Sequence, residues 1–230
     1  MDARQQNFEK LGFPNREAFK FPGIVNLEVY SGDCPCNCGH CPVGRLERSQ
    51  RRAKFGNAGM DIGLYKKIVD EIALYPHATV RLHSVGEPLL WDGLEQLASI
   101  HPKSVRGWIF TSAVTTDRKL LEMLCETITI IEVSVNSADP LDYRATKGVD
   151  AFDLVSDNIR FMHEFIHKRG RTTRLIASRV QSRDQVTDEA FVSFWRSSGL
   201  VKDAFVRSYH TYNGLLDEPA QTVQPSRHQA

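Results

Sequence analysis

The sequence predicts an α/β protein built as a partial (β/α)6 TIM-like barrel with parallel strands. Runs rich in β-branched residues alternate with helix-spaced apolar stripes, and the alternation recurs six times, the sixth helix being unclear. A chain of 230 residues with six units falls short of the eight a closed barrel needs. Such units cross over right-handed, which gathers the functional loops at the carboxyl ends of the strands.

The elements follow in order. Ile24 to Val29 (IVNLEV) is the first strand, reached through Pro22-Gly23. Asp61 caps a helix in which Leu64, Ile68 and Ile72, with Tyr65 and Val69, make one apolar side. Thr79 to Leu82 is the second strand, and Asp92 starts a short helix running to Ile100. Val105 to Thr111 is the third strand, followed by a helix over Thr116 to Leu124. Ile128 to Val135 is apolar enough to be buried on both faces, as parallel sheets require. A long helix near 151–169 carries Val155, Ile159, Met162 and Ile166 and stops at Gly170. Thr173 to Val180, a helix near 187–198 and Ala204 to Ser208 complete the pattern. The chain divides into an N-terminal extension (1–21), a core (22–210) and a polar tail (211–230).

Composition narrows the function. The chain is 41% hydrophobic and 25% charged, which excludes disorder of the whole chain. Lys and Arg number 29 against 28 Asp and Glu, a balance that does not favour a nucleic-acid coat. No apolar run reaches the ~18–20 residues that span a bilayer, and the start has no apolar signal region. Four of the five cysteines, Cys34, Cys36, Cys38 and Cys41, fall within eight residues. A disulfide scaffold spreads its cysteines; this spacing gathers thiols at one point, as in a metal or redox site of a reducing cytoplasm. Cys38 and Cys41 form a C-x-x-C that suits a redox pair or half a zinc knuckle, although a second knuckle is missing. Cys34, Cys38 and Cys41 form a C-x-x-x-C-x-x-C that suits three corners of a four-iron cubane, leaving one iron open.

On that motif, placed after the first strand, the chain resembles the radical S-adenosylmethionine superfamily, with a core like its SPASM/twitch subgroup. The resemblance implies one 4Fe-4S cluster held by Cys34, Cys38 and Cys41, with S-adenosylmethionine on the open iron. His40 stands where relatives carry an aromatic near the adenine, and Cys36 is an added loop thiol. Val85-Gly86-Glu87-Pro88 resembles the family's G-G-E-P turn, which implies that Gly86, Glu87 and Pro88 meet the cofactor's amino group. Phe110-Thr111-Ser112-Ala113 and Ser134-Val135-Asn136-Ser137 match later strand-end segments. They imply cofactor contacts from Ser112, Ser134 and Asn136, with Arg179 facing the cofactor carboxylate.

The activity implied is reductive cleavage of S-adenosylmethionine to a 5′-deoxyadenosyl radical that takes hydrogen from a peptide or carbohydrate-type substrate. An external one-electron reductant of flavodoxin or ferredoxin type is expected, and neither a membrane nor a nucleic acid. No cysteine follows Cys125, so auxiliary clusters are not expected, and Cys125 reads as a small packed hydrophobe. The segment from Arg45 to Lys54 reads as a charged, solvated loop, or as a grip for an anionic substrate. The rival readings are a non-catalytic iron–sulfur scaffold and a zinc-binding interaction module.

Overall fold

The computed structural model describes residues 21–212 together with Gly214 and Leu216. The N-terminal extension and most of the polar tail lie outside the described residues. Seven strands form one sheet in the order β2-β1-β3-β4-β5-β6-β7. These are β1 (Ile24–Ser31), β2 (Ala58–Gly59), β3 (Thr79–Val85), β4 (Arg106–Thr111), β5 (Ile130–Val133), β6 (Arg174–Val180) and β7 (Asp203–Arg207). Only β2 runs antiparallel to its neighbour within this sheet, pairing Tyr30 with Gly59 and Ser31 with Ala58. The other six strands are parallel and sequential, so the expected (β/α) succession is realised.

The helices are α1 (Arg48–Phe55), α2 (Ile62–Ile72), α3 (Leu94–Ile100), α4 (Arg118–Thr127), α5 (Pro140–Lys147), α6 (Phe152–Lys168) and α7 (Gln185–Ser197). Two of them correct the sequence reading. The basic stretch expected as a loop contains α1, and α5 lies in a segment to which no helix was assigned. β5 ends at Val133, before its apolar run is over, because Val135 N donates back to Val133 O (2.9 Å) in a tight turn, and Asn136 follows with a left-handed backbone (φ 61°).

Alternation along the strands separates two faces. Val80 and Leu82 of β3, Ile131 and Val133 of β5, and Leu175 and Ala177 of β6 pack under the helices in one apolar core. Each buried valine, leucine or isoleucine among these contributes about 1.5–3 kcal/mol. The opposite, inner face carries a separate cluster drawn from strands alone, around Trp108, Ile130 and Ile176. β4 and β7 would lie roughly 14 Å apart in a flat sheet, three spacings of about 4.8 Å. The Arg207 guanidinium of β7 nevertheless sits 4.9 Å from the Phe110 ring of β4, because the sheet curls toward this inner face.

Candidate functional site

β1 delivers the chain into a loop that holds all four clustered cysteines. Cys36 and Cys38 are buried, and Cys34 and Cys41 are partly exposed. The loop is fixed from two sides. From α1, Arg51 is buried and spends its whole guanidinium on it: Nε donates to Leu46 O (2.9 Å), Nη1 to Cys34 O (2.8 Å) and Cys36 O (3.2 Å). Its Nη2 donates to Asn37 Oδ1 (2.5 Å) and Gly44 O (3.4 Å). From α5, Lys147 O accepts from Asn37 N (2.7 Å), and Gly148 O accepts from Asn37 Nδ2 (3.3 Å). Gly148 has a φ of 65°, and a Cβ there would meet Asn37 at 2.8 Å. That close approach requires glycine.

Lys147 and Tyr143, four residues apart on α5, bring buried side chains to the sulfurs. The Lys147 ammonium donates to Ser134 O at 2.8 Å. Burial disfavours its charge, but Cys38, Cys36, Tyr143 and Cys34 outweigh that and hold its pKa above the ordinary lysine value. The Cys36 thiol is pushed up to about 11, chiefly by its hydrogen bond to Cys34. Cys38 also rises to about 11, through its bond with Cys36 and then burial, and Cys41 is raised by burial. Metal binding here therefore displaces protons from thiols and gains from a resident positive charge.

The second part of the site is the turn after β3. Glu87 N donates to Asp33 O (3.0 Å), and Gly32 N donates to Val85 O (2.8 Å), so this turn is sewn directly to the start of the cysteine loop. Gly86 has a φ of 151°, and a Cβ there would meet Asp33 O at 2.6 Å. The buried Glu87 carboxylate accepts from Thr111 Oγ1 (2.6 Å), Ser112 N (2.8 Å), Ser112 Oγ (2.6 Å) and Leu89 N (3.2 Å). Glu87 thus ties the β3 turn to the end of β4, and Pro88 opens the short 3-10 turn Pro88–Leu90 behind it.

The remaining expected residues divide. Asn136 is buried at the end of β5; its Oδ1 accepts from Val180 N (2.7 Å), and its Nδ2 stands 3.4 Å from His40 Nε2. Ser134 presents its carbonyl to Lys147. These two and His40 therefore gather at the cysteine loop with the Gly86-Glu87-Pro88 turn. Ser112 departs from expectation, because its hydroxyl and amide are both spent on Glu87. Arg179 is placed apart from the other expected residues. It shares the helix-covered face with Leu175 and Ala177, where Asp142 (3.2 Å) and Asp188 (3.0 Å) neutralise it. Period-two alternation turns its side chain away from the inner face.

Sequence reasoning missed the buried roles of Arg51 and Lys147. Asp139-Pro140 and Gly148 did carry a signal for α5: Asp139 caps the helix through Leu141 N and Asp142 N, proline takes its first turn, and Gly148 closes it. Nothing marked Arg51 among its basic neighbours.

A lone zinc ion needs its donors within about 2.3 Å of one centre. Among the described residues no three Cys, His, Asp or Glu side chains form such a group. Cubane thiolates bind separate irons, which suits three cysteines spread along one loop. Ser84 Oγ, buried two residues before Gly86 without a partner, adds an orphaned polar atom close by.

No family model matches the chain, and no curated protein does. Solved structures do. SuiB of Streptococcus suis, bound to S-adenosylmethionine, aligns with a TM-score of 0.66 at 17% identity over 92% of this chain and 45% of its own. anSMEcpe with bound AdoMet aligns with a TM-score of 0.63 at 16% identity, over 81% of this chain and 52% of its own. TsrM of Kitasatospora setae, a radical S-adenosylmethionine methyltransferase, aligns with a TM-score of 0.55 at 10% identity, over 81% and 36%. The fold is that of the radical S-adenosylmethionine enzymes. The chain spans about half the length of these neighbours or less. In this structure the cysteine loop and the Gly86-Glu87-Pro88 turn follow directly on the ends of the neighbouring strands β1 and β3. No helix among the described residues is long and apolar enough to cross a membrane.

Proposed function

We propose that residues 22–210 form a radical S-adenosylmethionine core holding one 4Fe-4S cluster on Cys34, Cys38 and Cys41. The observation that carries this reading is the direct hydrogen bonding of the cysteine loop to the Gly86-Glu87-Pro88 turn at adjacent strand ends. When bound, such a cluster would supply the one-electron reduction that cleaves S-adenosylmethionine to methionine and a 5′-deoxyadenosyl radical, the species able to take hydrogen from an unreactive C–H bond.

The chain's own residues prepare that event. Arg51 and α5 hold the cysteine backbone in place before any metal arrives. Lys147 keeps a positive charge beside the sulfurs, where it offsets thiolate charge or meets the cofactor carboxylate, the role expected of Arg179. Gly86 lets a ligand approach the turn, while Glu87 places a fixed negative charge behind it. Asn136 and His40 border the opposite side of the cysteine loop. Cys36, buried and protonated, serves as packing.

A peptide-type substrate is favoured over a carbohydrate by two neighbours: SuiB is solved with the precursor peptide SuiA and anSMEcpe with the Cp18Cys peptide. A flavodoxin- or ferredoxin-type protein would supply the electron. The test is anaerobic reconstitution with iron and sulfide, then dithionite and S-adenosylmethionine. We expect 5′-deoxyadenosine from the wild type and from Cys36→Ser, and only background with loss of iron from Cys34→Ala, Cys38→Ala or Cys41→Ala. Iron-loaded wild type that makes no 5′-deoxyadenosine would leave the scaffold reading in its place.

A further inference from the structure

The inner face of the sheet carries a guanidinium that the reaction above does not use. Arg81 of β3 lies in register between Asn26 of β1 and Trp108 of β4. Its Cζ stands 4.7 Å from the Trp108 ring and 5.0 Å from Phe110, and the two rings stack on each other at 5.4 Å. One terminal nitrogen donates to Asn26 Oδ1 (3.2 Å), whereas Nε is buried without a partner.

Arg207 of β7 reaches over the same shelf, 4.9 Å from Phe110. It is neutralised there by Glu132 through Nε–Oε1 (2.6 Å) and Nη2–Oε2 (2.5 Å), and Glu132 also accepts from Trp108 Nε1 (3.2 Å). Glu28, the next acidic group along β1, faces His83 in the register. This layer therefore holds two guanidinium groups and one fully bonded carboxylate. Among the described residues Arg81 has no ion pair. Burial and then the nearby Arg207 press on its charge, and the smaller opposing pull of Glu132 does not restore it, so its pKa lies below the usual arginine value.

Cation–π contact accounts for the orientation of Arg81 but leaves its buried Nε unsatisfied, a cost that an incoming acceptor removes. The acceptor that suits Nε and a terminal nitrogen together is a planar carboxylate, taken bidentately by one edge of the fork.

We propose that Arg81 anchors a carboxylate of the substrate against the Trp108–Phe110 shelf and so sets substrate specificity. This rests on the radical S-adenosylmethionine reading above and places substrate on the inner face beneath the strand ends. Arg81 lies four residues before Val85, about 13 Å along β3. The anchored carboxylate and the reacting carbon are accordingly at opposite ends of the substrate.

The proposal is tested by calorimetric titration of the reconstituted chain, a readout that needs no turnover. The probes are N-acetylphenylalanine (terminal carboxylate), N-acetylphenylalanine amide (neutral) and N-acetylglutamate amide (side-chain carboxylate). At least one carboxylate should bind about tenfold or more tightly than the amide, and Arg81→Gln should abolish that preference. Whichever acid binds identifies the source of the group. If Arg81→Gln does not fold, Arg81→Lys replaces it and should still weaken the acid several-fold, because an ammonium cannot form the fork. Equal binding of acid and amide by the wild type, no binding of either, or full acid affinity in the variant that folds overturns the proposal. Failure of the radical reading would show separately, as missing 5′-deoxyadenosine with the carboxylate preference intact.

Discussion

Arg51 donates from Nε, Nη1 and Nη2 to acceptors spread from Cys34 to Leu46, and its side chain is almost wholly buried. Arg51→Ala leaves those acceptors unsatisfied together. Hydrogen bonds to a charged group are worth about 1.5–3 kcal/mol each, and they do not add when they share one donor. We expect Arg51→Ala to lower stability by about 3 kcal/mol in urea denaturation and to speed amide exchange at Cys36 and Asn37; a loss within the error of the measurement would contradict this role. Glu87→Gln is the complementary case. A glutamine must turn its NH2 toward one set of donors, Ser112 N and Oγ or Thr111 Oγ1 and Leu89 N. The mismatch should cost about 1–3 kcal/mol, read as a lower urea midpoint, whereas an unchanged midpoint would mean the network is slack. At this scale the sequence was legible where placement follows from a local motif, as with the gathering of Cys34, Cys38 and Cys41 on one loop beside the Gly86 turn. It was opaque where the role comes from burial of a charge, as with Arg51 and Lys147, because burial is decided by distant segments.

His101 shows the same dependence between elements. It closes α3, and its ring lies between α2 and the start of β4. Nε2–H donates to Val105 O (3.0 Å), so Nδ1 accepts from Tyr65 Oη (2.7 Å), which fixes the neutral tautomer. Burial depresses its pKa below the ordinary 6.5, against a smaller opposing pull from Val105. Between the depressed value and 6.5 the unfolded chain binds a proton that the folded chain does not. Its contribution is therefore complete above pH 6.5 and is lost as pH falls through the folded value. The stability advantage of wild type over His101→Gln, measured by urea unfolding between pH 7 and 5, should shrink on acidification; a constant gap would refute it. Legibility varied among elements for similar reasons. α2 and α6 bury apolar stripes and were visible in the periodicity. α1 is polar apart from Ala53 and Phe55 and has no stripe to find; the Arg51 tether holds it instead.

The molecule as a whole depends on keeping its sheet curled, and strand succession alone conveyed the order of β1 and β3–β7 but not what holds the inner face together. β2, two residues long, offered no pattern at all. The inner face is bridged by Glu132 of β5 and Arg207 of β7, which are 75 residues apart in sequence. The two partners differ in exposure: Glu132 is wholly buried, whereas the Arg207 side chain keeps 33% of its surface in solvent. Removing one partner of a buried pair costs about 3–5 kcal/mol when the survivor cannot reach water. Arg207→Met leaves the Glu132 carboxylate with the Trp108 N–H and the field of nearby Arg81 in place of its two direct bonds, so it should fall toward the lower end of that range. Glu132→Gln leaves Arg207 beside Arg81, a repulsion that raises its cost, but Arg207 can swing into solvent. Relief by water outweighs the repulsion, and the loss should be smaller than that of Arg207→Met. The double change Glu132→Leu with Arg207→Met strands no charge and should recover most of the stability lost in Arg207→Met alone. Urea midpoints ranked wild type, double variant, Arg207→Met would establish that the pair closes the curl mainly by avoiding an unpaired charge. A double variant as unstable as Arg207→Met would mean that the ion pair itself supplies the closure.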